Sequence, residues 1–148
     1  MSTPEMMNGA LEHTIPVAHR MGVRILEAGP GHAVAGVPVE GNGNHFGVIY
    51  AGVQFTVAEI LGGVIAMSTF DAAKYFPLVK NVDISFVGMA RSELRAEARL
   101  DEATIARVQA EAAERGKADY TLEAVVTDAD GNTVATTRGL YQLRAHSK

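Results

Sequence analysis

The sequence of 148 residues contains no cysteine. It can therefore form no disulfide, has no thiolate nucleophile and lacks the cysteine ligands of zinc-finger patterns. Metal could be bound only by histidine, aspartate or glutamate, and the five histidines, at positions 13, 19, 32, 45 and 146, show no close ligand pairing. We expect no metal site.

A concentrated positive charge is also missing. The chain has 13 Lys and Arg residues against 17 Asp and Glu residues, which gives a net charge of -4. The basic residues are scattered among acidic ones, whereas a surface that binds nucleic acid gathers them on one face. We therefore expect no nucleic-acid partner.

Targeting and membrane segments are not evident. The first twenty residues lack the basic start and apolar core of a secretory signal. The most apolar stretch, residues 53–67, is shorter than the ~20 residues that a membrane span requires, and it contains two adjacent glycines and an acid. We expect a cytoplasmic protein without a membrane partner.

Residues 44–70 form the most distinctive part of the chain. From 53 to 67 nearly every residue is apolar, small or aromatic, which predicts a helix buried on all sides. Glu59 is the one charged residue there, and burying an ionised carboxylate costs on the order of several kcal/mol unless partners compensate. A buried acid paired with an arginine or with backbone amides, without a catalytic role, is one explanation, and a functional acid is the other.

Two stripes run along this predicted helix. One is apolar and suits packing on a sheet: Val53, Val57, Ile60, Val64 and Met67. The other is small and polar: Gly52, Thr56, Glu59 and Gly63. Small residues on either side of the acid allow another backbone or a ligand to approach the carboxylate closely.

The rest of the chain predicts mainly strands. Alternation and turn residues indicate five or six of them, at residues 23–27, 33–39, 78–87, 92–100, 120–128 and 133–144. Two further helices are predicted, one at residues 9–21 with an irregularity at Pro16, and one between Asp101 as N-cap and Gly116. Because the apolar face of a sheet must be covered, we predict an α+β fold in which an antiparallel sheet wraps the long buried helix, as a single domain of residues 1–148.

This arrangement resembles the hotdog-fold acyl-CoA thioesterases, particularly the phenylacetyl-CoA-thioesterase-like group. That group has an Asn or Gln in a loop, His-Gly-Gly at the helix start, and an Asp or Glu nine residues after the His. Here Asn44 lies fifteen residues before Glu59, and Tyr50-Ala51-Gly52 occupies the His-Gly-Gly positions. The residues agree at Asn44, Gly52 and Glu59, and differ at Tyr50 and Ala51.

The resemblance implies hydrolysis of an acyl-CoA thioester, with coenzyme A as part of the substrate and no separate cofactor. The amides of Ala51 and Gly52 would bind the thioester oxygen, and Glu59 would act as general base or nucleophile. Asn44 would hold the attacking water or the carboxylate. Tyr50 replaces the family histidine and could donate a hydrogen bond.

The resemblance also implies a site between two subunits, in a homodimer or a dimer of dimers. Candidate cations for the coenzyme A phosphates are Lys80, Arg91 and Arg138. Two alternatives stay open: a hotdog module that binds acyl-CoA or acyl chains without cleaving them, which the changes at Tyr50 and Ala51 would suit, and a hydratase in which His45 assists the acid.

Overall fold

A computed structural model describes residues 3–147 of the chain. Its helices are α1 (Pro4–Thr14), α2 (Pro16–Met21), α3 (Ala51–Thr69) and α4 (Glu102–Arg115). Its strands are β1 (Arg24–Gly29), β2 (His32–Val37), β3 (Tyr75–Phe86), β4 (Leu94–Arg99), β5 (Lys117–Thr127) and β6 (Thr133–Ala145).

All six strands of the described chain form one antiparallel sheet in the order β1-β2-β4-β5-β6-β3. The helix α3 lies against this sheet and contacts every strand. This confirms the predicted α+β architecture, in which an antiparallel sheet wraps a long central helix. The first and last strands in the order, β1 and β3, are the two edges.

The sequence of α3 explains its central position. Val53, Val57, Ile60 and Val64 are buried as predicted, while Met67 at the end of the same stripe is 37% exposed. By length and composition this helix of 19 residues, with a mean hydropathy of 1.4, could cross a membrane. However, 61% of the 18-residue stretch with this mean hydropathy is buried within the fold, as in the core helix of a globular domain.

Gly62 allows α3 to approach β6 closely. A Cβ atom at this position would overlap the ring of Tyr141 on β6. The Tyr141 ring stacks on the ring of Tyr120 from β5, with centroids 5.6 Å apart. Tyr120 donates a hydrogen bond to the Gly62 carbonyl and Tyr141 donates one to the Glu59 carbonyl, each at 3.2 Å. The two phenols therefore fix the position of α3 on the sheet.

The N-terminal helix differs from the prediction. Instead of one helix at residues 9–21, α1 begins at Pro4, where the Thr3 hydroxyl accepts a hydrogen bond from the Met6 amide at 3.2 Å, and α2 follows separately. The chain breaks at Ile15, whose φ of -137° is not helical. Pro16 causes the break because its ring disfavours helical geometry at the preceding residue.

The third strand also differs from the prediction. It begins at Tyr75 rather than at residue 78, and its register against β6 shifts between Val79 and Asn81. Lys80 lies in this bulge, so it does not continue the alternating row of Val82, Ile84 and Phe86. Because β3 is an edge strand, Phe86 at its end is 49% exposed.

The remaining strands agree more closely with the sequence pattern. On β4, Leu94, Ala96 and Ala98 are buried, and the charged residues between them face outward, as the alternation predicted. The β5–β6 connection is a hairpin, in which Gly131 has a φ of 84° that favours glycine. The start of β5 differs most, since this strand begins at residue 117 and not at 120, while the bounds of β1, β2 and β4 differ from the prediction by one or two residues.

Candidate active site

Asn42 anchors the loop of residues 38–50, which connects β2 to α3. The side-chain nitrogen of this buried residue donates to the carbonyls of Met21 at 2.7 Å and Pro38 at 2.8 Å. Its own carbonyl accepts from the amide of Tyr50 at 2.8 Å. Asn42 therefore links α2, the end of β2 and the start of α3. The sequence offered no signal for this role, because one asparagine in a loop rich in glycine and asparagine looks like any other turn residue.

Replacing Asn42 by alanine should destabilise the protein by about 1–3 kcal/mol, because the carbonyls of Met21 and Pro38 lose their donor in a partly buried setting. Thermal denaturation of Asn42→Ala and Asn44→Ala would measure the difference. The Asn44 variant is the matched control, since it removes the same amide group from the less buried part of the same loop. Equal loss of stability in both variants would contradict the assignment.

Asn44 organises the tip of the loop. Its side-chain oxygen accepts hydrogen bonds from the amides of Phe46 at 2.9 Å and Val48 at 3.3 Å. This is the geometry of an Asx turn. Within residues 3–147 no hydrogen bond joins the Asn44 side chain to Glu59. In a single chain Asn44 therefore shapes the loop and does not hold the carboxylate.

The first turn of α3 leaves amides free. The Tyr50 carbonyl accepts from the amides of Val53 at 3.0 Å and Gln54 at 3.2 Å, and no side chain caps the helix. By contrast, α1 and α4 are capped by Thr3 and Asp101. In the described chain the amides of residues 51 and 52 donate to no protein group. Two free donors at the positive end of a helix dipole are suited to bind an oxyanion.

Tyr50 lies beside these donors. Its ring is packed against Gly52, where a Cβ atom would come within 2.6 Å of the Tyr50 Cε2 atom. The side chain as a whole remains 58% exposed, and its hydroxyl does not cap the helix. Gly52 therefore permits both the close approach of the ring and access to the helix start. Ala51 is exposed, so its methyl group points away from the buried core.

Glu59 is half-buried on the small, polar stripe of α3 that the sequence predicted. All four members of that stripe are half-buried: Gly52, Thr56, Glu59 and Gly63. Burial raises the pKa of the Glu59 carboxyl above its ordinary value, because desolvation disfavours the charged form. Among the described residues its carboxylate has neither an ion-pair partner nor a hydrogen-bond donor. The structure thus provides no arginine or amide partner of the kind that a purely structural acid would require.

The free amides and the carboxylate are far apart in one chain. Gly52 and Glu59 are seven residues apart on a continuous helix, which corresponds to about 10 Å along its axis. A single carbonyl carbon can contact only groups within about 3–3.5 Å of its reacting atoms. One chain therefore supplies both kinds of group without bringing them together.

The three predicted cations do not lie beside Glu59. Lys80 forms an ion pair with Asp119 at 3.1 Å, and Arg138 pairs with Glu123 at 3.3 Å. Asp119 and Glu123 alternate along β5 with residues that face α3, so both pairs lie on the opposite face of the sheet. Arg91 lies exposed in the connection between β3 and β4.

The histidine of the hydratase alternative and the groups that could bind a metal can also be placed in the structure. His45, the residue that a hydratase would use, is exposed at the loop tip, where its ring lies 4.0 Å from that of Phe46. Between residues 3 and 147, no three histidine, aspartate or glutamate side chains lie close enough together to hold a metal ion.

Comparison with known proteins identifies relatives. Residues 4–141 match a family described as a domain of unknown function, DUF4442. No curated protein matches the chain. A crystal structure from Pseudomonas aeruginosa, of a protein of unknown function described as a probable thioesterase, is 41% identical and covers 99% of each chain with a TM-score of 0.89.

More distant structures share the fold. A thioesterase from Haemophilus influenzae is 15% identical over 98% of this chain and 92% of its own, with a TM-score of 0.78. A thioesterase from Staphylococcus aureus, with alanine replacing a glutamine at position 32, is 16% identical over 87% of this chain and 98% of its own, with a TM-score of 0.73. A second structure of that protein has alanine in place of a glutamate at position 47.

These comparisons confirm the resemblance that the loop and helix motif indicated. The fold is the hotdog fold of thioesterases, as the P. aeruginosa relative and the more distant structures show. The sequence match extends over nearly the whole chain. The chain belongs to the DUF4442 family.

Proposed function

We propose that this protein hydrolyses acyl-CoA thioesters to a free acid and coenzyme A. The observation that carries the proposal is the combination, on one helix, of an uncapped start with two free amides and a half-buried carboxylate without a protein partner. The thioesterase descriptions of the similar structures support the reaction class.

The two features have complementary roles in thioester cleavage. Attack on the carbonyl places negative charge on its oxygen, and the amides of Ala51 and Gly52 would donate hydrogen bonds to it. Loss of one such donor costs about 100- to 1000-fold in rate in well-studied enzymes. Glu59 would remove a proton from an attacking water, or attack the carbonyl itself to form a mixed anhydride.

The separation of about 10 Å between these groups supports a site shared by two subunits. The amides of one chain would meet the Glu59 carboxylate of a second chain across their interface. The spacing between a side-chain amide and an acid recurs in the S. aureus thioesterase. Its two substituted residues, at positions 32 and 47, are fifteen apart, as are Asn44 and Glu59 here.

Strand β3 is the surface that we propose for the homodimer. It pairs with β6 along one side only, and within the described part of the chain its other edge has no partner. Along it, Leu78, Val79 and Phe86 are between 37% and 49% exposed. An unpaired edge of twelve residues with exposed apolar side chains favours pairing with another strand. Light scattering should give at least twice the chain mass of 15.7 kDa, and four times that mass would indicate a dimer of dimers.

Hydrolysis of a panel of acyl-CoA thioesters tests the proposed function. Release of free thiol can be followed with a disulfide reagent, and because the protein has no cysteine, the signal comes only from coenzyme A. We expect turnover of at least one thioester among acetyl, hexanoyl, decanoyl, palmitoyl and phenylacetyl derivatives. Absence of turnover together with retention of an acyl ligand would instead favour a binding module.

The pH dependence should reflect the buried acid. Glu59 must be ionised to act as base or nucleophile, and burial raises its pKa. The rate should therefore rise with pH as Glu59 ionises. The midpoint of this ascending limb of the pH–rate profile should lie above ~4.3, the pKa of an exposed glutamate. Measuring kcat/KM against pH locates this limb, and a rate that is already constant near pH 4.3 would exclude Glu59 as its origin.

A further inference from the structure

An apolar cavity of about 430 Å³ lies between α1 and α3. The α3 side is formed by Ile60, Gly63, Val64 and Met67, and the α1 side includes Met7 and Ala10. Ile25 from β1 and Pro77 from β3 also line it, so the cavity lies where α1 covers the gap between the two edges of the curved sheet. Its volume is within the range of small-molecule sites, about 300–1,000 Å³.

The cavity begins next to the candidate catalytic acid. Gly63 follows Glu59 by four residues, which places both on the same face of α3. The strand residues give the same direction. Val79 pairs with Tyr141, whose hydroxyl donates to the Glu59 carbonyl, and the cavity residue Pro77 lies two residues before Val79 on β3. From Ile60 to Met67 the cavity wall continues for about 10 Å along the helix axis.

We propose that this cavity binds the aliphatic acyl chain of the substrate, with the chain extending from Glu59 towards Met67. The proposal rests on the proposed thioester hydrolysis at Glu59. In this arrangement α1 forms a wall of the cavity that determines the preferred length of the acyl chain.

The chemistry of the lining favours an alkyl chain. Of the side chains that line the cavity, none is ionisable and none is aromatic, and Thr14 is the one that carries a polar group. A charged or strongly polar tail would lose its hydration there without gaining partners. Met6, Met7 and Met67 contribute flexible, unbranched side chains, which adapt to the bends of an alkyl chain.

Gly63 provides the means to test the cavity. A Cβ atom at this position meets nothing within 4 Å, so a larger side chain would extend into the empty space. Gly63→Leu therefore fills the cavity from α3, and Ala10→Leu fills it from α1. The second variant keeps the test decisive if the first folds poorly. Gly9→Leu is the matched control, because Gly9 also has open space around it but does not line the cavity.

The first measurement compares kcat/KM for acetyl-, hexanoyl-, decanoyl- and palmitoyl-CoA. In the unmodified protein each added methylene should improve kcat/KM about fourfold until the cavity is full. In Gly63→Leu and Ala10→Leu the ratio of decanoyl to acetyl turnover should fall at least tenfold, whereas Gly9→Leu should keep the original ratio. An unchanged ratio in both cavity variants would overturn the proposal.

The second measurement separates this proposal from the proposed function. The thioether S-decyl-CoA cannot be hydrolysed, so its binding, measured by calorimetry against coenzyme A alone, does not depend on catalysis. The proposal is supported if S-decyl-CoA binds more tightly than coenzyme A and if Gly63→Leu weakens the binding of S-decyl-CoA at least tenfold. This holds even if no thioester is cleaved. Equal binding of S-decyl-CoA and coenzyme A to the unmodified protein would exclude the acyl site, even if thioesters are hydrolysed.

Discussion

Replacement of Glu59 by glutamine should reduce thioester hydrolysis by about 100- to 10,000-fold, the range over which a positioned general base contributes. Glutamine has nearly the same shape as glutamate but accepts no proton near neutral pH. The fold should persist, because the Glu59 carboxylate contributes no hydrogen bond or ion pair within the chain as described. The measurement is the initial rate of thiol release with the best substrate of the panel.

The same variant should be more stable than the unmodified protein at neutral pH. Burial raises the pKa of Glu59 in the folded state, so the folded protein binds this proton more tightly than the unfolded chain does. The stabilising contribution of the protonated acid is fully present below the unfolded pKa and is lost as the pH rises through the raised pKa. Glu59→Gln avoids this loss, and its gain in Tm should disappear in acid.

The matched control is Glu123→Gln. This glutamate also lies in a regular element, but it is exposed on the other face of the sheet and pairs with Arg138. Its substitution should leave hydrolysis unchanged and should give no gain in Tm at neutral pH, because this exposed carboxylate is not desolvated by folding. Full activity of Glu59→Gln would disprove the catalytic assignment of Glu59, while a stable, inactive variant that still binds S-decyl-CoA would separate catalysis from binding.

The parts of the fold that the sequence predicted are those in which local pattern and burial agree. The helix α3 is apolar on nearly every side and lies in the centre, and β4 alternates strictly and has one buried face. Glu59 became a candidate for the same reason, since one acid in an apolar stretch conflicts with its surroundings. These features depend mainly on residues close together in sequence.

The parts that were missed depend on contacts between distant residues. The bulge at Lys80 is fixed by pairing with β6, and the importance of Asn42 depends on two carbonyls, at Met21 and Pro38, that no local pattern reveals. The cavity requires α1, β1, α3 and β3 together, so neither the composition nor the periodicity of one element indicates it. The separation of Gly52 from Glu59, by contrast, follows from helix geometry alone, and it is the basis for proposing that two subunits share the site.

The two adjacent glycines of α3 should respond to alanine in opposite directions. At Gly62 the added methyl group would overlap the Tyr141 ring. This ring cannot move freely, because it stacks on Tyr120 and its hydroxyl donates to the backbone carbonyl of Glu59. Such overpacking typically costs about 1–3 kcal/mol. At Gly63 there is open space, so alanine should stabilise the helix by about 0.5–1 kcal/mol.

Urea denaturation of Gly62→Ala and Gly63→Ala measures both changes in the free energy of unfolding. A double-mutant cycle identifies the cause: if the methyl group at residue 62 clashes with Tyr141, then the cost of Gly62→Ala should shrink in a Tyr141→Leu background, which removes the ring. The Gly63→Ala effect should be the same in both backgrounds, because that position does not contact Tyr141. An undiminished cost of Gly62→Ala without the tyrosine ring would show that close packing of α3 on β6 does not explain the glycine.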